Sequence, residues 1–225
     1  LTLLPKALVS PVAGPFVDHW NRKAIIVGMD IFRGVIVILM AILAWYGLLG
    51  YWQICIATVS LSVASGFFEP AVSASIPSIV RKDQLVKASS LNETTIHLSG
   101  IVGPVIGAFV YQFVGMPCAF LVNGLSYILS AIAEMFIYIT GTGVEGKAKV
   151  KVWRDVRAGF VFLRESVMLS RLILVLGGLY FFAGSFRILM PIYAIRQLNI
   201  DNIISLALLR AAIAIGLVLS ALVLY

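Results

Sequence analysis

The sequence has little charge and few cysteines. Only 12% of its 225 residues are charged, whereas 61% are hydrophobic and the mean hydropathy is +1.03. A soluble domain carries about 25% charged residues, so a soluble enzyme and a disordered chain are excluded. The two cysteines, Cys55 and Cys118, lie in apolar runs and do not form the framework of a disulfide-stapled secreted domain. The composition predicts an integral membrane protein.

Chemical motifs are lacking as well. The sequence has no Walker loop, no metal-ligand cluster, no haem motif and no nucleophile–base constellation. We therefore expect no enzymatic activity, no cofactor and no metal. The net charge of +7 comes from basic residues in the gaps between apolar segments, a pattern that sets membrane topology rather than nucleic-acid binding.

The apolar runs match the thickness of a bilayer, which needs roughly 20 residues per helix. The predicted spans are 24–46, 52–78, 88–113, 117–140, 171–195 and 203–225, after a partial segment at 1–17. The predicted fold is all-α, a polytopic membrane helix bundle. Because the chain opens within an apolar run and without Met, we expect it to be an excerpt of a longer protein.

Twelve of the 17 basic residues lie in three alternate gaps, and the intervening gaps hold none. They are Arg22 and Lys23 in the first gap, Arg81, Lys82 and Lys87 in the third, and Lys147, Lys149, Lys151, Arg154, Arg157, Arg164 and Arg171 in the fifth. By the positive-inside rule these three gaps are cytoplasmic.

The fifth gap is long and has a pattern of its own. Apolar residues recur every three or four positions from Val152 to Val167, with basic residues between them. This pattern predicts an amphipathic helix on the inner membrane surface or, alternatively, a helix packed on the protein itself. It divides the chain into a first bundle half at 1–140, a linker at 141–170 and the start of a second half at 171–225.

The first gap has an ordered set of residues, which are Gly14, Asp18, His19, Asn21, Arg22 and Lys23. Gly14 permits close helix approach, Asp18 can cap helix-end amides or pair with Arg22, and Asn21 tolerates a left-handed turn. This order resembles the signature loop of the major facilitator superfamily, with His19 and Asn21 replacing an Arg and a Gly. The resemblance implies that Gly14, Asp18, Arg22 and Lys23 act in conformational change.

Two longer runs, Phe67 to Asn92 and Val152 to Arg164, resemble the macrolide-efflux branch of that superfamily. The set Gly100, Gly103, Pro104 and Gly107 resembles an antiporter motif, with Ala108 in place of its last Gly. The resemblance implies that the chain runs from the second to the eighth helix of a twelve-helix transporter. The missing helices would then be partners of this chain.

Polar residues inside a membrane span are costly, so each is a functional candidate. One face of the second complete span carries Thr58, Ser62, Ser65, Glu69 and Ser73. We expect this stripe to face protein or water, with Glu69 binding a proton or a cationic substrate. The alternative role for Glu69 is a hydrogen-bonded carboxylate that packs helices together.

Further candidates lie on the other spans. Glu93 and His97 are one helical turn apart and could share a proton, although a solvated or capping Glu93 is the alternative. Asp30 and Arg33 predict an internal ion pair with a structural role. Arg187 needs a carboxylate or a water-filled cavity, and Arg210 raises the same question. Asn123, Ser126, Ser130 and Glu134 line one face of a helix that is peripheral in the family, and Lys6 has no assigned role.

These features predict a secondary active transporter of the cell membrane that crosses the bilayer several times. The resemblance implies proton-coupled efflux of small, drug-like amphipathic compounds by alternating access, so the expected partners are the lipid bilayer, protons and the substrate. A symporter or uptake permease on the same fold is the first alternative. A membrane sensor or assembly protein that does not transport is the second.

The charge distribution makes the topology testable. Single cysteines at Arg22, Lys82 and Lys151 should resist a membrane-impermeant thiol reagent in intact cells, because all three positions are predicted to be cytoplasmic. A cysteine at Leu48, in an outer gap, should react and serves as the positive control. Labelling at any two of the three basic positions would overturn the orientation.

Overall fold

The computed structural model describes residues 3–137, 157, 161–162, 164–198, 204–205, 208–209 and 212. Its helices are α1 (Leu3–His19), α2 (Arg22–Trp45), α3 (Tyr51–Ile79), α4 (Leu85–Val114), α5 (Met116–Met135) and α6 (Val167–Leu198), with a short 3₁₀ helix, Lys82–Gln84, before α4. No strand occurs in this part of the chain, and the predicted all-α class is confirmed.

Within the described residues, five helices are long and apolar enough to cross a membrane, and they correspond to the first five predicted spans. They are Arg22–Trp45, Tyr51–Ile79, Lys82–Val114, Met116–Met135 and Val167–Gln197. The helix α5 ends five residues before the predicted limit of 140, and α6 begins at Val167, so that Arg171 lies within a helix and not in the gap. The sixth predicted span and the amphipathic helix fall mainly outside the described residues.

The connections between the first helices are short because their residues suit tight turns. Gly47 and Gly115 have φ of 69° and 92°, a backbone region that disfavours other residues, and they lie in the gaps α2–α3 and α4–α5. Asn21 does not adopt the left-handed conformation we expected. Its φ is −66°, and its side chain accepts a hydrogen bond from Ala24 N, which makes it the N-cap of α2.

The chain is divided into two compact units. The first contains α1, α2, α3, α5 and α4 as far as Thr95, and the second contains the rest of α4 and α6. In the first unit α1 packs on α3, α3 packs on α2, and α2 packs on α5. Its core is formed by Val17 of α1, Ile25 and Ile26 of α2, and Ala71 of α3.

Glycines set the closest helix contacts of the first unit. A Cβ on Gly34 would lie 2.5 Å from Ile128 Cδ1, and a Cβ on Gly124 would lie 2.6 Å from Ile38 Cγ1 and 3.0 Å from Ile38 N. The backbones of α2 and α5 therefore touch, as is common for small residues between membrane helices. A similar contact joins α3 to α1, where a Cβ on Gly66 would lie 3.1 Å from Val9 Cγ1.

We expect Gly124→Ala to lower the melting temperature of the full-length protein in detergent. The added methyl group would press on the Ile38 backbone, and such overpacking costs about 1–3 kcal/mol. The matched control is Gly28→Ala on α2, where the new Cβ meets no described atom within 4 Å and helix propensity improves. Equal melting temperatures for Gly124→Ala and the wild type would contradict the close approach of α2 and α5.

Candidate functional site

The basic residues of the first loop bind the ends of two other helices. Arg22 Nη1 donates to the Ala74 carbonyl of α3 at 2.7 Å, and Lys23 Nζ donates to the Met135 carbonyl of α5 at 2.6 Å. Met135 is the last residue of its helix, where carbonyls lack an intrahelical partner and a cation is favourable. The first turn of α2 is therefore bonded both to α3, five residues before its end, and to the last residue of α5.

The remaining signature residues are less informative. The side chains of Asp18 and His19 lie outside the described residues, so the predicted contact between Asp18 and Arg22 stays a prediction. A Cβ on Gly14 would meet no described atom within 4 Å. In the part of the chain that is described, the close approach expected at Gly14 occurs instead at Gly34, Gly66 and Gly124.

Glu69 forms an ion pair with Lys6. The Nζ of Lys6 on α1 lies 2.7 Å from Oε1 of Glu69 on α3, and the two side chains are 37% and 53% exposed. Each charge would be costly alone inside an apolar span, and the pair neutralises both. Sequence reasoning assigned Lys6 no role, because its partner is 63 residues away along the chain.

The hydroxyl groups near Glu69 bond to their own helix. The Thr58 hydroxyl donates to the backbone carbonyl of Ile54, the Ser62 hydroxyl to that of Thr58, and the Ser65 hydroxyl to that of Leu61. Ser62 is buried and Ser65 is partly buried, while Glu69 and Ser73 lie at the surface of the unit. The stripe thus runs from the packed interior to an exposed edge, and the ion pair is at that edge.

The polar stripe of α4 is exposed along the described residues. Glu93 and His97 are both at the surface, and no hydrogen bond or ion pair between these two described side chains is present. A Cβ on Gly100, Gly103 or Gly107 would meet no described atom within 4 Å. Ala108, which replaces the last Gly of the antiporter-like motif, is buried, and the role that the motif implies stays a prediction.

The other charged candidates differ in how much the structure describes. Asp30 and Arg33 form an ion pair, with Arg33 Nη2 3.2 Å from Asp30 Oδ1, and both side chains are more than nine-tenths buried. The guanidinium also lies 3.9 Å from the ring centre of Phe68 on α3. The side chain of Arg187 and the whole of Arg210 lie outside the described residues. Among the residues that the structure describes, no group of three metal-ligating side chains occurs.

Sequence reasoning left Glu134 apart from Asp30 and Arg33, although α5 packs on α2 and brings the Glu134 carboxyl group near that of Asp30. Glu134 also accepts a hydrogen bond from Ser130 at 3.3 Å. One feature of the sequence could have linked them. Glu134 is a carboxylate near the end of an apolar span, at about the same membrane depth as Asp30 and Arg33 on α2. Hydropathy does not say which two helices are neighbours.

The comparisons with known proteins place the whole chain in one family. The model of the Major Facilitator Superfamily matches residues 1–225. Macrolide efflux protein A of Enterococcus faecalis is 28% identical over 196 residues, which cover 87% of this chain and 59% of that protein. Macrolide efflux protein A of Streptococcus pyogenes is also 28% identical over 196 residues, which cover 87% and 47%.

A third relative is the uncharacterized MFS-type transporter YvqJ of Bacillus subtilis (strain 168). It is 25% identical over 222 residues, covering 96% of this chain and 52% of that protein. The chain spans about half the length of the curated relatives it matches.

The contact between Arg22 and Ala74 predicts a measurable loss of stability. Arg22→Met keeps the length of the side chain but removes a charged hydrogen bond, which contributes about 1.5–3 kcal/mol. We expect a lower melting temperature of the full-length protein in detergent. The control is Arg81→Met, since Arg81 is 82% exposed in its pair with Asp83 and such a change costs about 0.5 kcal/mol or less. Equal losses in both variants would show that Arg22 does not hold α3.

Proposed function

The chain belongs to the major facilitator superfamily, and on that premise we propose that the protein carrying it is a proton-coupled efflux transporter of drug-like amphipathic compounds. Its two bundle halves, one within residues 1–140 and the other beginning at 171, would expose a central cavity alternately to each side of the membrane. The names of the two macrolide efflux relatives support this substrate class and direction. The five apolar helices support a multi-pass protein of the cell membrane.

The observation that carries the proposal is the ion pair between Lys6 and Glu69. Glu69 lies ten residues from the end of α3, or about 15 Å along the helix, and so well inside the span. Three cations can compete for this single carboxylate: a proton, a cationic substrate and the Lys6 ammonium. Because Glu69 binds one of them at a time, uptake of a proton releases the others. Mutually exclusive binding of proton and substrate is the logic of antiport.

The pair also joins two helices. Protonation of Glu69 removes its charge and frees Lys6, so that the bond between α1 and α3 is lost. The free energy lost with this ion pair would shift the balance between two conformations that are close in energy. The loop contacts of Arg22 and Lys23 would meanwhile hold α2, α3 and α5 together during the change. In this proposal Gly14 and Asp18 keep the conformational role that the signature implies.

Other predicted residues have supporting roles in the proposal. Glu93, His97 and Arg187 are further candidates for proton or substrate binding, and Gly100, Gly103, Pro104 and Gly107 would control leakage during rocking. The fold itself does not fix the direction of transport. A symporter or uptake permease remains the alternative within transport, and a membrane sensor or assembly protein is the alternative outside it.

The test compares Glu69→Gln with Lys6→Gln in the full-length protein, reconstituted in proteoliposomes with an imposed proton gradient. We expect Glu69→Gln to abolish proton-driven efflux and to leave substrate binding measurable but independent of pH. Lys6→Gln keeps the carboxylate, so its substrate binding should still depend on pH and should tighten for a cationic compound. Asp83→Asn, at an exposed carboxylate, is the control and should behave as the wild type.

Two outcomes would contradict this role. If Glu69→Gln retains efflux and its pH dependence, the proton site is elsewhere. If Glu69→Gln and Lys6→Gln reduce folding equally and neither changes the pH dependence of binding, the ion pair only packs α1 on α3. Substrate-dependent proton release from the purified wild type separates antiport, which produces it, from a sensor, which does not.

A further inference from the structure

Three helices of the first unit surround a group of two carboxylates and one cation, in which Asp30 and Arg33 are buried and Glu134 is partly buried. Asp30 and Arg33 come from α2, and Glu134 comes from α5. The Arg33 guanidinium lies over the Phe68 ring of α3 at 3.9 Å and 5.3 Å from the ring centre of Tyr127 on α5. With both carboxyl groups ionised, these three side chains would have a net charge of −1, and Lys23, which lines a cavity together with Glu134, is a further cation near the site.

The hydrogen bonds of the group are incomplete, because two buried donors, Arg33 Nε and Nη2, and two buried acceptors have no partner. Asp30 Oδ1 and Glu134 Oε2 are buried and accept no hydrogen bond. The Nη2 of Arg33 is 3.2 Å from Asp30 Oδ1, but its N–H bonds do not point at that oxygen. The two carboxyl groups nevertheless lie close enough to repel each other when both are ionised. One proton shared between them would remove that repulsion and would supply a donor to an unpaired oxygen.

Glu134 also borders a cavity. The cavity has a volume of about 140 Å³ and lies among the start of α2 and the ends of α3 and α5. Its polar lining comes from Lys23, Ser75 and Glu134, and one of its apolar residues, Ile79, is 49% exposed. The rest of the accessible lining is apolar, so the cavity does not supply the polar partners that a chain of ordered waters needs. Glu134 itself is only partly buried and can therefore exchange a proton with water at the end of the helix.

We propose that Asp30 and Glu134 form a one-proton site between α2 and α5, with Arg33 as its fixed counter-charge and the partly buried Glu134 as the group that exchanges the proton with water. The proton moves from water to a carboxylate oxygen and returns by the same path. The site is separate from Glu69, which is paired with Lys6 on α1, and it does not depend on transport.

The surrounding groups favour a proton over a metal cation. On α2 the charged groups near the site are Lys23, Asp30 and Arg33, while α5 contributes Glu134 and Tyr127. The helix α3 contributes the Phe68 ring, and its one carboxylate, Glu69, is engaged by Lys6. A sodium ion at this site would be repelled by the Arg33 guanidinium and by Lys23, which lines the same cavity as Glu134. A proton needs no coordination shell and fits between two oxygens.

The site predicts an infrared signature in the full-length protein. In detergent at neutral pH, the wild type should show the carbonyl stretch of a protonated carboxyl group, which shifts in D₂O and disappears at alkaline pH. Asp30→Asn and Glu134→Gln should each lose this band, because the remaining carboxylate is then neutralised by Arg33 alone. Asp83→Asn should keep it. A band that persists in both variants, or its absence from the wild type, would overturn the proposal.

Stability gives a second measurement on the same samples. The folded wild type binds one proton more than two free carboxylates would at neutral pH, so its melting temperature should fall as the pH rises and the proton is lost. Glu134→Gln should remove this fall over the same pH range. Should Glu134→Gln fail to fold, the wild-type band and Asp30→Asn still decide the matter. Replacement of choline by sodium at constant ionic strength should change neither measurement, and loss of the band on adding sodium would mark a metal-cation site instead.

Discussion

The close approach of α2 and α5 at Gly34 and Gly124 is the constraint on which much of the first unit depends. With no side chain at either position, the two backbones touch, and every residue one or two turns away is brought within reach of the other helix. This is how Lys23 reaches the Met135 carbonyl and how the Glu134 carboxyl group comes near that of Asp30. A larger residue at the crossing would separate these groups by more than a hydrogen bond can span.

The cost of charge in an apolar medium explains the rest of the arrangement. Lys6 pairs with Glu69, Arg33 pairs with Asp30 and lies on Phe68, and Arg22 binds a carbonyl of α3. Apart from the pair within α2, these contacts join different helices, so the requirement for a partner also holds the helices together. Any step that adds or removes a proton at one of them changes a helix contact as well as a charge.

The spans were predictable because hydropathy is a sum over neighbours in the chain. Five of them appear within a few residues of the expected limits, and the signature loop implied a family that the match over residues 1–225 confirms. Helix ends were less predictable: α6 begins at Val167, so that Arg171 lies inside it. A basic side chain near the end of a span can extend to the interface, so its charge does not mark where the helix stops. Asn21 likewise turned out to cap α2.

The sequence by itself determined the class of the protein: apolar length requires helices that cross a membrane, alternate basic gaps predict their orientation, and the loop and glycine motifs place the chain among transporters. Only the tertiary structure decided which charges meet. Lys6 and Glu69 are 63 residues apart, and Lys23 and Met135 are 112 apart. No local pattern links such residues, since a helix presents the same composition whichever neighbour it packs against. Glycines whose missing side chains allow two backbones to touch select the neighbour, and the polar contacts follow from that choice.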